Sequence, residues 1–145
     1  MFKKIQLILT IFIVLNFYNL STAGENFFKE AKKKFDEKEL EDSKFLFQRN
    51  IVFNPKDAKS YLYLAKIYNS EENEREEEKN LNTTLLLEPS NEEAMFMLIN
   101  IRLKRSNYSE VKELKEKFLT ICSNLCEKIN SINESLKNIE PKKDS

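Results

Sequence analysis

The chain has 145 residues, and its 24 lysines and arginines balance 24 aspartates and glutamates, so the formal net charge is zero. This balance gives no electrostatic argument for binding nucleic acid. The sequence contains no histidine, which excludes Ser/His and Cys/His catalytic pairs and imidazole metal sites. The single glycine, Gly24, excludes a glycine-rich phosphate-binding loop.

Residues 1–23 have the pattern of a secretory signal peptide. Lys3 and Lys4 precede an apolar run from Ile5 to about Leu20, and small residues follow where a signal peptidase cleaves. The run is shorter than the roughly 20 apolar residues that a membrane-spanning helix prefers. We therefore expect an exported, periplasmic protein. The alternative is an uncleaved anchor in the inner membrane that leaves the domain facing the periplasm.

The helix predicted from Leu40 to Phe53 carries apolar residues around most of its circumference. A helix of this kind is usually buried between neighbours. Its apolar residues are Phe45, Leu46, Phe47, Ile51, Val52 and Phe53. The pattern predicts an inner helix with little exposed apolar surface.

Two prolines bound the most regular part of the chain. Pro55 and Pro89 lie 34 residues apart, and this interval is the period of a helical-hairpin repeat. Between them the spacing predicts two amphipathic helices. The first presents Tyr61, Leu64, Ala65 and Tyr68, and the second presents Leu81, Leu85 and Leu87.

Two helix starts are also predicted in this part of the chain. Asp57 is placed to accept a hydrogen bond from a free backbone amide of the helix that begins near Ala58. Beyond Pro89, Ser90 and Glu93 have the spacing of a capping box.

The stretch between the prolines resembles the tetratricopeptide repeat family. In that family the first helix of a unit carries a large aromatic residue, a leucine, a small residue and a tyrosine, and the unit closes with a proline. The matching positions are Tyr61, Leu64, Ala65, Tyr68 and Pro89. Steps of 34 residues in both directions extend the resemblance over roughly Gly24 to Leu125.

The resemblance implies an all-α fold of three helical hairpins stacked as a short right-handed α-solenoid. The repeats would span residues 24–57, 58–91 and 92–125. A capping helix is predicted at 124–139, because one face of it is apolar and would close the open end of the stack. The charged tail, residues 140–145, is expected to be disordered.

The chain departs from the family pattern at several positions. Glu74 and Glu77 stand where the second helix of the middle unit should bury an aromatic residue and an alanine. Ile99 replaces a small residue, and Ser123 stands where the third unit should close with proline. The glutamates at 71–78 are interpreted as a solvated helix face or a frayed helix start. The alternative is a patch for a basic partner; metal binding has little support, because no calcium-loop spacing is present.

The family resemblance implies a concave groove, lined by the first helix of each unit, that binds a peptide or protein segment. The groove positions are Phe28, Lys29, Lys32, Lys59, Leu62, Tyr63, Lys66, Phe96, Met97 and Asn100. Lysines among aromatic and apolar groups suit a peptide with an acidic end or face. Alternatively, Leu62, Phe96 and Met97 pack against each other or the capping helix. Lys32 stands where family members that grip a C-terminal carboxylate have asparagine, so chaperone-tail binding is not expected.

Cys122 and Cys126 fall between the third repeat and the predicted capping helix. Export would permit a structural disulfide, which would clamp that helix to the repeat. Free buried thiols are the alternative. The spacing is not the CxxC spacing of redox proteins.

The sequence thus predicts a non-catalytic interaction scaffold in the cell envelope. By family analogy it would serve as a subunit of an envelope or outer-membrane assembly complex. The alternative is a membrane-tethered adaptor with an uncleaved anchor. No enzymatic activity, cofactor, metal or nucleic-acid partner is expected, because no carboxylate is combined with a base, nucleophile or metal cluster.

Overall fold

The structure, a computed structural model, describes residues 27–138. The predicted signal peptide and the C-terminal tail lie outside this range. Between 27 and 138 the chain forms seven helices and no strand. They are α1 (27–36), α2 (Leu40–Phe53), α3 (Ala58–Ser70), α4 (Glu74–Leu87), α5 (Glu92–Lys104), α6 (Tyr108–Ile121) and α7 (Lys128–Lys137). None of these helices is long and apolar enough to cross a bilayer.

The first six helices form three hairpins that turn in the same way. Each turn contains one residue with positive φ: Lys38 (65°), Glu72 (56°) and Ser106 (57°). The backbone amide of the next residue donates a hydrogen bond to a carbonyl near the end of the first helix. The donor–acceptor pairs are Glu39–Lys34, Asn73–Tyr68 and Asn107–Arg102, each at 2.9 Å. These turns recur at the 34-residue interval that separates Pro55 from Pro89. The repeat period is therefore present in the backbone as well as in the sequence.

The predicted capping box at Ser90 and Glu93 is wrong. Asn91 is the N-cap of α5, and its side-chain oxygen accepts a hydrogen bond from Ala94 N at 3.0 Å. Glu93 instead reaches Lys66 of α3 at 2.8 Å. Asparagine is as effective an N-cap as serine, so the helix begins one residue later and Glu93 is released for the ion pair.

Asp57 is the N-cap residue of α3, as predicted, but its carboxylate does not accept a backbone amide. It accepts hydrogen bonds from Ser60 Oγ at 2.6 Å and Asn50 Nδ2 at 2.7 Å. Since Asn50 belongs to α2, this carboxylate ties the first hairpin to the second.

Two hydrophobic clusters form the core. The smaller, which we term the first-hairpin cluster, contains Ala31, Phe47, Leu64 and Ile67. The larger, the central cluster, contains residues of α3 to α7, including Leu62, Leu81, Ile99, Phe118 and Ile132. Ile99, which replaces the small residue of the family pattern, is fully buried there.

The prediction that α2 is enclosed is wrong. Phe45 is 59% exposed and Val52 is 78% exposed, while Ser43, Phe47 and Asn50 are buried. Among residues 27–138, α2 packs on its neighbours through one side only, and its other side faces outward, like that of α4, where Leu86 is 81% exposed. The outward side of α2 therefore presents apolar residues among charged ones.

Replacing Glu72 by glycine should stabilise the protein. The left-handed conformation costs a non-glycine residue about 1 kcal/mol, and part of that gain is offset because glycine loses more conformational freedom on folding. We expect the free energy of unfolding, measured by chemical denaturation, to rise by about 0.5 kcal/mol.

The matched control is Arg75→Gly in the first turn of α4, where the conformation is helical and the side chain is exposed. That variant should lose about 1 kcal/mol. A loss of stability in both variants would contradict the strain argument.

Candidate functional site

The first helices of the three hairpins, α1, α3 and α5, lie side by side and form one face of the molecule, which we term the inner surface. Phe28 of α1 and Tyr63 of α3 make an edge-to-face contact with ring centroids 6.0 Å apart. Lys66 of α3 lies 2.8 Å from Glu93 of α5. These two contacts join neighbouring first helices directly.

The aromatic residues predicted to line a groove pack into the core at the α1 end of this surface. Tyr63 stacks on Phe47 of α2 at 5.0 Å and meets the edge of Phe35 at 5.1 Å. Phe28 also contacts Phe47, at 5.7 Å. Both Phe28 and Tyr63 remain half-buried, so they hold α1 and α3 together and present only part of their rings.

The apolar residues predicted farther along the inner surface also pack against the core. Leu62 is 8% exposed and belongs to the central cluster, and Phe96 and Met97 are half-buried against it. Phe96 lies 6.3 Å from the ring of Phe118. Asn100, the remaining predicted residue of α5, is half-buried. Of the two interpretations offered for Leu62, Phe96 and Met97, the structure thus favours packing over an open groove lining.

The four predicted lysines fall into two pairs. Lys32 donates to Asp36 at 2.7 Å, and this hydrogen bond raises the pKa of Lys32. Lys66 pairs with Glu93 and lies 4.8 Å above the Tyr63 ring. By contrast, Lys29 and Lys59 are exposed and make no ion pair within residues 27–138. They are the two predicted cations on this surface that remain available to a ligand.

A cavity of about 350 Å³ lies between α3, the start of α5 and the segment that joins α6 to α7. It is lined by Leu62, Glu88, Ser90, Asn91, Glu92, Glu93, Asn124 and Leu125. Leu62 is the only predicted groove residue that lines it. Asn124 and Leu125 are not among the predicted groove residues because the sequence analysis places them in a helix. The remaining lining residues lie at the end of α4 and the start of α5, outside the family's groove positions.

Glu92 holds that segment in place. Its carboxylate accepts hydrogen bonds from Ser123 Oγ at 2.7 Å, Asn124 N at 3.0 Å and Leu125 N at 2.8 Å. The bond from Ser123 is the largest of the effects that lower the pKa of Glu92 from 4.5 to about 2. The Glu92 side chain of α5 therefore provides the hydrogen-bond acceptor for the backbone amides of Asn124 and Leu125, which follow α6.

The predicted capping helix, 124–139, begins only at Lys128. Residues 122–127 are not helical, because Glu92 takes up the amides of Asn124 and Leu125 and the chain must first turn. Cys122 and Cys126 are bonded to each other across this turn, with their Cα atoms 5.2 Å apart. The structure thus contains the disulfide and not the free buried thiols. Ile132 and Leu136 of α7 then pack on the central cluster.

The interpretation of the glutamates at 71–78 as a solvated face is wrong for three of them. Glu77 is 3% exposed and accepts a hydrogen bond from Asn69 at 3.0 Å, and burial raises its pKa. Glu74 and Glu78 pair with arginines of the next hairpin. These side chains are engaged within the chain, which also removes them from the proposed patch for a basic partner.

Arg102 is the centre of this network. Its side chain is 10% exposed, with Nη2 lying 2.5 Å from Glu78 and Nε 2.7 Å from Glu110, out of line for a hydrogen bond. Arg105 pairs with both Glu74, at 2.6 Å, and Glu78, at 2.7 Å. Burial raises the pKa of Glu78, but the hydrogen bonds from the two arginines outweigh it, and the pKa lies below its usual value. The network joins α4, α5 and α6.

Comparison with known proteins identifies the architecture. The sequence matches no protein-family model and no curated protein. Solved structures do match. The first TPR domain of Spaghetti (RPAP3), bound to an HSP90 peptide, gives a TM-score of 0.71 at 15% identity, covering 81% of this chain and 94% of that one.

Two further structures agree. The TPR2B domain of yeast Sti1, in a pHsp70 complex, gives a TM-score of 0.70 at 15% identity, covering 79% of this chain and 96% of that one. The type III secretion chaperone SycD of Yersinia enterocolitica, with a peptide of the translocator YopD, gives 0.70 at 15% identity, covering 81% and 94%. The chain has the tetratricopeptide repeat fold, a right-handed α-solenoid closed by a capping helix. The predicted fold is confirmed.

Replacing Arg102 by alanine should destabilise the protein by about 3 kcal/mol, because Glu78 and Glu110 lose a buried partner. The measurement is the free energy of unfolding at neutral pH. Arg75→Ala, which removes an exposed arginine of α4, is the control and should change stability by less than about 0.5 kcal/mol. Equal effects of the two variants would show that the network contributes nothing.

Glu92→Gln should lower stability at neutral pH, and the difference from the wild type should disappear in acid. Because the folded pKa of about 2 lies below the ordinary 4.5, the carboxylate stabilises the fold above pH 4.5 and loses this effect as the pH falls toward 2. Thermal unfolding across this pH range tests the expectation. Glu127→Gln, at an exposed position, is the control for the charge change, and a gap that stays constant with pH would contradict the assignment.

Proposed function

We propose that this protein is a non-catalytic interaction scaffold that binds a peptide or protein segment on its inner surface. The fold supports this proposal, because the domain of Spaghetti (RPAP3) and the chaperone SycD carry bound peptides on the same architecture. A likeness of fold does not transfer a particular ligand. The ligand's chemistry must come from the side chains of this chain.

The pair of available lysines is the observation that supports this function most directly. Lys59, Leu62 and Lys66 share one face of α3, by their spacing. Leu62 lines the cavity and Lys66 is already neutralised by Glu93. Lys59 therefore stands as an unpaired cation one helical turn before Leu62, the residue of α3 that lines the cavity. Lys29 of α1 is a second exposed cation.

This arrangement fits a segment with an acidic group near the lysines of α1 and α3 and an uncharged side chain in the cavity, whose wall is largely polar and carries three glutamates. Leu62 and Leu125 supply the apolar contacts there. In such mixed recognition, apolar pockets supply most of the affinity and charges orient the ligand. The half-buried rings of Phe28 and Tyr63, which contact each other, add an aromatic surface where α1 meets α3.

The proposed location is the cell envelope. The basic start, apolar run and small residues of 1–23 support export and removal of this segment. A disulfide between Cys122 and Cys126 is compatible with an oxidising compartment. We propose a role as a subunit of an envelope or outer-membrane assembly complex. The second candidate is an adaptor that keeps residues 1–23 as a membrane tether.

A photo-crosslinking amino acid at Asn100, a predicted groove residue of α5, leaves both available lysines intact and should trap a specific partner in the native cells. The same amino acid at Gln48, which is exposed on α2, is the matched control and should not trap it. Adding Lys29→Glu should reduce the position-100 product at least about fivefold, since a like charge then faces the acidic ligand. A product of equal yield from both positions, or one insensitive to Lys29→Glu, would reject the inner surface as the binding site.

Cell fractionation together with the intact mass of the protein tests the location. We expect a periplasmic protein that lacks residues 1–23. Recovery of the full-length chain in the membrane fraction would favour the tethered adaptor. A full-length chain in the cytoplasm would contradict both forms of the proposal.

A further inference from the structure

The outer face of α2 carries a stripe of four residues that lie outside the hydrophobic core. Asp42, Phe45, Arg49 and Val52 follow one another at spacings of three, four and three, so they lie along one side of the helix. Phe45 is 59% exposed and Val52 is 78% exposed. Such spacing is that of a helix seam which packs against a second helix.

The opposite side of α2 already makes the contacts that hold the first hairpin. Phe47 is fully buried in the first-hairpin cluster, and Ser43 Oγ donates to the Ala31 carbonyl of α1 at 2.9 Å. Asn50 Nδ2 donates hydrogen bonds to Asp57 and Ser60. The core-facing side of α2 thus makes its contacts without the four residues of the stripe, which we term the α2 stripe. These four residues are not part of the core.

Aromatic groups extend the apolar surface beside the stripe. Phe53 stacks on Phe27 of α1 at 5.4 Å, and the Arg49 guanidinium lies 4.5 Å from the centre of the Phe27 ring. Phe53 is itself 37% exposed. The stripe and this aromatic pair form one patch at the end of the stack occupied by the first hairpin.

When two copies of the stripe lie antiparallel, the charged residues of one copy face oppositely charged residues of the other. Asp42 and Arg49 are two helical turns apart, about 10.5 Å along the axis, with Phe45 between them. A second α2 lying antiparallel, with a two-fold axis near Phe45, places each Asp42 opposite the Arg49 of the other copy. A symmetric pair of this kind forms two opposite-charge contacts and no like-charge contact.

We propose that the α2 stripe is the interface of a homodimer, formed by antiparallel packing of α2 against α2 of a second copy. Phe45 contacts Phe45 of the second copy at the two-fold axis, as an isologous interface requires. Val52 lies at each end of the contact, against the first turn of the other α2. The apolar residues provide the affinity, and Asp42 and Arg49 set the antiparallel orientation. This interface is separate from the inner surface, which stays open in both copies.

Charge reversal in two differently tagged full-length chains, expressed together, tests the proposal. Two wild-type copies should co-purify. Two Asp42→Arg copies, or two Arg49→Asp copies, bring like charges together and should co-purify about tenfold less. An Asp42→Arg copy mixed with an Arg49→Asp copy restores both opposite-charge contacts and should co-purify like the wild type.

An apolar variant provides the matched control. Leu86 of α4 lies 34 residues after Val52 and is equally open, at 81% exposure. Val52→Lys should abolish co-purification and Leu86→Lys should not, while circular dichroism of both stays helical. The proposal is overturned if the wild-type copies do not co-purify, or if co-purification persists in every charge combination. The latter result would place the contact elsewhere, for example in residues 1–26 or on a third protein.

Discussion

The stacking of the second hairpin on the third depends on the buried guanidinium of Arg102. A helix with glutamates on its inner side cannot pack against a neighbour through apolar contact alone, and α4 carries Glu77 and Glu78 there. Arg102 and Arg105 approach from the end of α5 and neutralise Glu78 from two directions. Removal of Arg102 and Glu78 from water is tolerated because their opposite charges lie 2.5 Å apart. Glu77 is held instead by a hydrogen bond from Asn69.

Glu92 has the corresponding role at the other end of the third hairpin. It accepts the amides of Asn124 and Leu125, so the chain turns before α7 begins and α7 reaches the central cluster from a fixed position. The cavity on the inner surface is a consequence of this turn. The same carboxylate thus closes the hydrophobic end of the stack and shapes the recess proposed to receive a ligand.

Ion pairing also decides which predicted groove residues can contact a ligand. Lys66 is predicted as a ligand-binding cation, yet it is paired with Glu93. Lys59, two helical turns earlier on α3, has no such partner within residues 27–138. The sequence shows both lysines at equivalent helical spacing and carries no information on the distance to α5. Only the relative placement of neighbouring helices separates an occupied cation from an available one.

The sequence by itself determined the repeat period, the three hairpins and the fold, because prolines, helical apolar spacing and turn positions act locally and recur every 34 residues. The tertiary structure alone decided the arginine partners of Glu74 and Glu78, the start of α7 and the packing of Tyr63 on Phe47. Each of these rests on a contact between residues far apart in the chain, such as Arg102 with Glu78 or Glu92 with Leu125. The local sequence around a charged residue is the same whether its side chain is solvated or forms an ion pair within the protein. The sequence pattern therefore cannot distinguish a solvated charge from a paired one.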